Sequence, residues 1–119
     1  MDLETLRNYC LLLKGTTEDL PFGPDTLVFR VMGKIFLLTG LDEPSLSINL
    51  KCDPERAIEL REQFEEIKPG YHMNKKLWNT VDCNNSLTDS FIKELIDHSY
   101  NEVIKKLSRK EKEQLEAFE

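Results

Sequence analysis

Lysines 68, 75 and 76, with Tyr71, His72, Asn74, Trp78 and Asn79 among them, form the stretch of this chain best suited to chemistry. Ammonium groups meet phosphate oxygens, and side-chain amides hydrogen-bond phosphates or base edges. An imidazole or indole offers a flat surface on which a base can stack. No carboxylate interrupts positions 67 to 81. The chemistry these residue types suggest is contact with a nucleic acid, through Lys68, His72, Asn74, Lys75, Lys76 and Trp78. Arg30, Lys34 and Lys51 are further cations that could join it from neighbouring strands. The same letters also fit a plainer surface, with Tyr71 and Trp78 half-buried and the lysines simply solvated.

Other candidates are weaker. Glu55, Glu59, Glu62 and Glu66 recur at spacings of four, three and four, which aligns them on one helical face. Hard divalent cations accept carboxylate oxygens, yet Arg56 and Arg61 sit among them and no histidine completes a ligand set. A solvated helix face, with no resident metal and no cofactor, is the simpler reading. His72 and His98 are far apart in the chain, and Cys83 has no base beside it. Asp97-His98-Ser99 holds the letters of a catalytic triad, but neighbours on a helix point about 100° apart and cannot relay a proton. No nucleophile elbow or phosphate-cradling glycine loop is present. The sequence therefore favours a binding protein over an enzyme.

The elements that must position these groups follow from local patterns. Asp2 can cap a first helix that Gly15 ends, with Leu3, Leu6, Cys10 and Leu13 as its stripe, widened by Leu11 and Leu12. Thr16 to Asp25 reads as a loop, with Pro21, Gly23 and Pro24 as breakers. Thr26–Val31 and Lys34–Gly40 read as a hairpin around Met32-Gly33. A two-residue turn would set Val31 opposite Lys34, Phe29 opposite Phe36 and Leu27 opposite Leu38 on the core side. Val28, Arg30, Ile35 and Leu37 would share the other face. Leu46, Ile48 and Leu50 alternate with polar residues, the pattern of a strand buried on one side. Asp53-Pro54 opens a helix whose stripe is Ala57, Leu60, Phe64 and Ile67. Tyr71–Asn74 and Leu77–Cys83 look extended. Thr88 or Ser86 caps a long helix carrying Phe91, Ile92, Leu95, Ile96, Val103 and Leu107. Ser108-Arg109-Lys110-Glu111 is a capping-box pattern for a short charged helix.

The chain has 119 residues, so one domain is expected, over residues 1–107, with 108–119 as a charged helical extension or tail. Grouped strands and grouped helices imply an α+β fold: an antiparallel sheet with helices on one face and the other face open. No apolar run approaches the ~20 residues of a membrane span. The acidic start Met1-Asp2-Leu3-Glu4 does not read as a signal peptide. Three widely spaced cysteines suggest reduced thiols and a cytoplasmic setting. The net charge of −6 argues against steering toward DNA over long distances. It leaves room for a local basic patch, because residues 53–66 concentrate six carboxylates.

Several motifs occur together and in order. Pro69-Gly70-Tyr71-His72-Met73-Asn74-Lys75-Lys76 precedes Trp78-Asn79-Thr80-Val81. Upstream stand Pro21-Phe22-Gly23, Leu27–Phe36, and Ser45–Lys51 followed by Asp53-Pro54. Downstream stands Leu95-Ile96-Asp97-His98-Ser99-Tyr100. This set resembles the signature of the MmcQ/YjbR-like family of small bacterial proteins, over roughly residues 3 to 107. The resemblance implies a CyaY-like (frataxin-like) arrangement and a DNA-binding role, with DNA as partner; a monomer is expected. Leu77 departs from the pattern, standing where relatives commonly carry a histidine. An alternative is a protein-interaction module using Val28, Ile35 and Leu37 on the open sheet face, since apolar sheet patches often mark protein partners. A further one is weak divalent-metal binding on the Glu55–Glu66 ridge.

Overall fold

The computed structural model describes residues 1–71, 73–84 and 86–118. Among the described residues, four helices and six strands follow one another. Helix α1 (Leu3–Leu12) is followed by strands β1 (Thr16–Asp19), β2 (Thr26–Val31), β3 (Lys34–Gly40) and β4 (Ser47–Lys51). Helix α2 (Pro54–Gln63), strands β5 (Ile67–Pro69) and β6 (Trp78–Asp82), and helices α3 (Asp89–Lys105) and α4 (Arg109–Glu116) complete it. The sheet is antiparallel throughout, in the order β1-β2-β3-β4-β6-β5. The fold is α+β, as the pattern of elements implies.

The caps are where short polar side chains precede apolar periodicity. Asp2, Asp53, Thr88 and Ser108 each accept a backbone N–H in the first turn of their helix, and Ser108 and Glu111 complete a reciprocal capping box. All four helices pack on one face of the sheet. There Leu27, Phe29, Val31, Ile48, Leu50 and Val81 meet Leu6 and Cys10 of α1 and Ile92, Leu95, Ile96 and Val103 of α3. Helix α4 is docked rather than loose. Leu115 joins the core, Lys14 Nζ donates to the Glu116 carbonyl, and Lys34 lies 3.8 Å from Glu111.

The structure corrects the sequence reading in five places. First, Thr16–Asp19 is an edge strand, not part of a loop; its polar letters gave no alternation to detect. Second, the β2–β3 hairpin keeps Val31 opposite Lys34 and Arg30 opposite Ile35, but the register then slips. Phe36 is an extra residue, so Leu37 faces Phe29 and Leu38 faces Val28. A bulge of this kind reverses the inward–outward parity of everything beyond it. Leu37 is therefore a core residue at 0% exposure, not a member of the open face. Third, Leu11 and Leu12 do not widen the buried stripe of α1. Rotation of 100° per residue carries them off the Leu6–Cys10 line, and Leu12 is 83% exposed. Fourth, α2 stops at Gln63, so Ile67 is buried from strand β5 and Glu66 lies off the helix. Fifth, Tyr71 and Met73–Leu77 form a turn rather than an extended run, with Leu77 and Trp78 N–H donating to the Asn74 carbonyl.

The bulge leaves its mark on α3. Ser99, wholly buried, donates from Oγ to the Phe36 carbonyl (2.5 Å) and accepts from the Lys51 N–H (2.8 Å). One hydroxyl thus serves two main-chain groups of adjacent strands. The Phe36 ring stands edge-on to Tyr100, with centroids 5.5 Å apart.

Candidate nucleic-acid interface

The register gathers some of the candidate residues and scatters others. Lys51, the last residue of β4, pairs with Trp78, the first of β6. The turn carrying Asn74, Lys75 and Lys76 runs directly into Trp78, and the Cys52 N–H donates to the Leu77 carbonyl at 2.8 Å. Lys51, Asn74, Lys75, Lys76 and Trp78 therefore share one end of the sheet. Trp78 is half-buried, whereas Tyr71 is 71% exposed.

The turn is built rather than loose. The Asn74 Oδ1 accepts the Lys76 N–H at 3.0 Å, and Lys75 Nζ folds back to donate to the Gly70 carbonyl at 3.0 Å. Gly70 lies so close to β6 that a Cβ there would stand 2.8 Å from that of Trp78 and 3.0 Å from its carbonyl oxygen. From α2, Arg61 Nε donates to Asn79 Oδ1 at 2.6 Å, and its Nη2 donates to the carbonyls of Lys75 and Trp78. Asn79 is 2% exposed and in turn donates to the Ala57 carbonyl. Arg61 thus ties the basic turn to the helix behind it.

The remaining candidates lie elsewhere. Arg30 is ion-paired with Asp19 at 3.1 Å and donates to the Gly33 carbonyl. Lys34 faces the helix layer beside Glu111, not the open sheet face. Lys68 lines a concavity at the opposite end of the sheet with Glu43, Glu65, Glu66 and Asp82, an environment that repels phosphate. His72 lies outside the described residues. The open face is also less apolar than its letters suggest. Val28 is fully buried there, Ile35 and Leu38 are half-buried, and Leu37 belongs to the core.

Three contributors escaped the sequence reading. Lys105 and Lys106, at the C-terminal end of α3, line a groove with Lys51, Cys52, Leu77 and Glu102. Only the docking direction of α3 brings them beside β4, and no local pattern encodes that. Arg61 sits four residues beyond Ala57, hence on the inward side of α2. Its placement one turn along a buried stripe was the available signal.

His98 closes the back of this region. Its Nε2 accepts the Asp53 N–H at 3.1 Å, which joins α3 to the cap of α2. Burial pushes its pKa down, and Arg56 and Lys105 add to that effect, while Glu102 and Asp53 oppose it. A depressed pKa means that the unfolded chain takes the proton more readily than the folded one. The stabilisation is whole above the ordinary histidine value near 6.5 and is lost as pH falls through the window below it. Urea titrations at stepped pH should show a decline below that value, and His98→Gln should flatten it. An unchanged slope in the variant would remove His98 as the cause.

Among the described residues, no three His, Cys, Asp or Glu side chains come together to hold a metal ion, and no helix is long and apolar enough to cross a membrane. The glutamate ridge reduces to Glu55, Glu59 and Glu62, since Glu66 is off the helix.

Comparison with known proteins agrees with this architecture. A crystal structure of Deinococcus radiodurans protein DR2400, with its DUF419 domain, superposes with a TM-score of 0.90 at 37% identity, covering 95% of this chain and 86% of that one. The uncharacterised protein YbdF of Escherichia coli O157:H7 is 35% identical over 112 residues, 94% of this chain and 92% of its own length. The uncharacterised protein YjbR of Escherichia coli K12 is 30% identical over 115 residues, 97% and 98% of the two chains. The YjbR family model matches residues 11–102, a span from the end of α1 almost to the end of α3 that includes the basic turn, and the chain belongs to the YjbR family.

Proposed function

We propose that this protein is a non-enzymatic nucleic-acid-binding protein of the cytoplasm, which contacts a DNA backbone through the basic end of its sheet. One observation carries the reading: Lys51, Lys75, Lys76, Lys105 and Lys106 come from three separate parts of the chain yet converge around Trp78 and Leu77. Lys51, Lys76 and Lys106 form no ion pair among the described residues, so their charge is open to a phosphate. Lys75 serves the turn first, through its bond to Gly70. Trp78 supplies a flat ring at the edge of the patch, where a base can stack. The carboxylates around Lys68 gather at the other end of the same strands, whereas at the basic end Lys51, Lys75, Lys76, Lys105 and Lys106 outnumber Asp53 and Glu102.

The mechanism is electrostatic and makes a quantitative demand. With ~3–5 phosphates neutralised, the logarithm of affinity for a short duplex should fall against the logarithm of salt with a slope near −3 to −4. Lys76→Gln and Lys51→Gln should each flatten that slope by about one unit. Fluorescence anisotropy with a labelled duplex at several salt concentrations measures both. Affinity that ignores salt, or no binding at low salt, would contradict the reading.

The protein-interaction alternative loses ground on its own face. Its three apolar contributors were Val28, Ile35 and Leu37, of which Val28 and Leu37 are fully buried. The metal alternative retains only exposed glutamates on one helix, without a gathered ligand set among the described residues.

A further inference from the structure

The groove beside the basic turn has a chemistry that phosphate backbone alone does not explain. Its volume is about 590 Å³, and Lys51, Asp53, Pro54, Leu77, Glu102 and Lys106 form its walls. A concavity of that size suits a small molecule. A duplex, being convex and far wider, can lie across its mouth but cannot enter it.

The lining offers three kinds of contact at once. Lys51 and Lys106 contribute cationic side chains from two separate elements, the end of β4 and the C-cap of α3. Leu77 and Pro54 present apolar surface. Asp53 and Glu102 present carboxylates, each with one partner already: Asp53 Oδ2 accepts the Arg56 N–H, and Glu102 pairs with Lys105 at 2.7 Å. A carboxylate has two oxygens and about four acceptor sites, so both keep free capacity. A simple anion would be drawn by the lysines and opposed by the carboxylates. A ligand that carries an anion at one end and hydrogen-bond donors on a flat body would use every wall.

We infer that the groove is a nucleotide subsite, which takes one phosphorylated nucleoside with its phosphate on Lys51 and Lys106. The base lies against Leu77 and Pro54, and sugar hydroxyls or an exocyclic amine donate to Asp53 and Glu102. This deepens the nucleic-acid reading, because the groove opens at the same end as Lys75, Lys76 and Trp78. The nucleotide can be the terminal residue of a strand bound there or a free nucleotide, and the chemistry of the seat is the same for both.

The experiment is an amide-resolved NMR titration of the whole protein with six probes: adenosine monophosphate, adenosine, inorganic phosphate, a short single strand with a 5′-phosphate, the same strand without it, and a short duplex. Adenosine monophosphate should shift the amides of Cys52, Leu77, Lys105 and Lys106, and bind at least about tenfold more tightly than adenosine or phosphate. The Lys51→Gln, Lys106→Gln double variant should lose that advantage while retaining the wild-type spectrum elsewhere. Shifts that need the 5′-phosphate of the strand and exceed those with the mononucleotide identify a strand end as the source, whereas the reverse identifies a free nucleotide. Equal responses to phosphate and adenosine monophosphate would overturn the nucleoside part and with it the proposal. A duplex that moves Lys75, Lys76 and Trp78 while the mononucleotide moves nothing would overturn the subsite and leave nucleic-acid binding standing. Silence to the duplex as well would overturn both.

Discussion

Phe36→Ala should destabilise the protein by about 3–5 kcal/mol, measured as a shift in the midpoint of urea unfolding at constant slope. The expectation rests on three facts. The ring is 0% exposed, it meets Phe29 at 6.5 Å and Tyr100 edge-on at 5.5 Å, and it belongs to the residue that the β2–β3 ladder leaves over. Losing it removes apolar burial and leaves a cavity between sheet and α3 that rigid strands cannot close. It also removes the side chain that makes the extra residue worthwhile, since Phe36 and Leu37 are consecutive yet both buried. Trp78→Ala should cost less, because its indole is only half-buried. A Phe36 variant no less stable than the Trp78 variant would mean that the bulge is held by something other than its ring.

The second large effect belongs to Ser99→Ala. Two main-chain groups, the buried Phe36 carbonyl and the partly buried Lys51 N–H, would lose their partner together. Each orphaned group costs about 1–3 kcal/mol, against the removal of a single oxygen atom. Hydrogen exchange separates this mechanism from simple cavity formation, because the Lys51 amide should lose protection well beyond its neighbours. If Ser99→Ala is nearly neutral and the Lys51 amide stays protected, the hydroxyl is not the link between strand and helix. Lys51 also lines the proposed nucleotide groove, so on that proposal this variant should weaken adenosine monophosphate binding without altering any charged residue.

Much of the architecture is written in short-range signals. The caps at Asp2, Asp53, Thr88 and Ser108 are local side-chain-to-backbone bonds, and the alternation of Leu46, Ile48 and Leu50 needs only a one-sided strand. The β3 parity is different. Ile35-Phe36-Leu37-Leu38 is apolar at four successive positions, so nothing in the letters says where an extra residue falls. Long-range contacts decide it: the Phe36 ring against Tyr100, 64 positions further on, and the Ser99 hydroxyl on the Phe36 carbonyl. The basic end divides in the same way. Lys75 and Lys76 are legible beside Trp78, whereas Lys105 and Lys106 join them only through the packing of α3. Lys68 shows the reverse: adjacent to the basic turn in sequence, it is carried by β5 to an acidic corner.

The three cysteines make the molecule a clock of its own opening. Cys10, Cys52 and Cys83 are each 5% exposed or less, and burial pushes their thiols up to about 12, 11 and 12. Only thiolate attacks an alkylating reagent, so the folded protein at neutral pH offers almost none. Each sulfur must wait for its own surroundings to part: α1 for Cys10, the junction of β4 and α2 for Cys52, the end of β6 for Cys83. Three modification rates therefore read out whether the layers separate together or one at a time, without any introduced label.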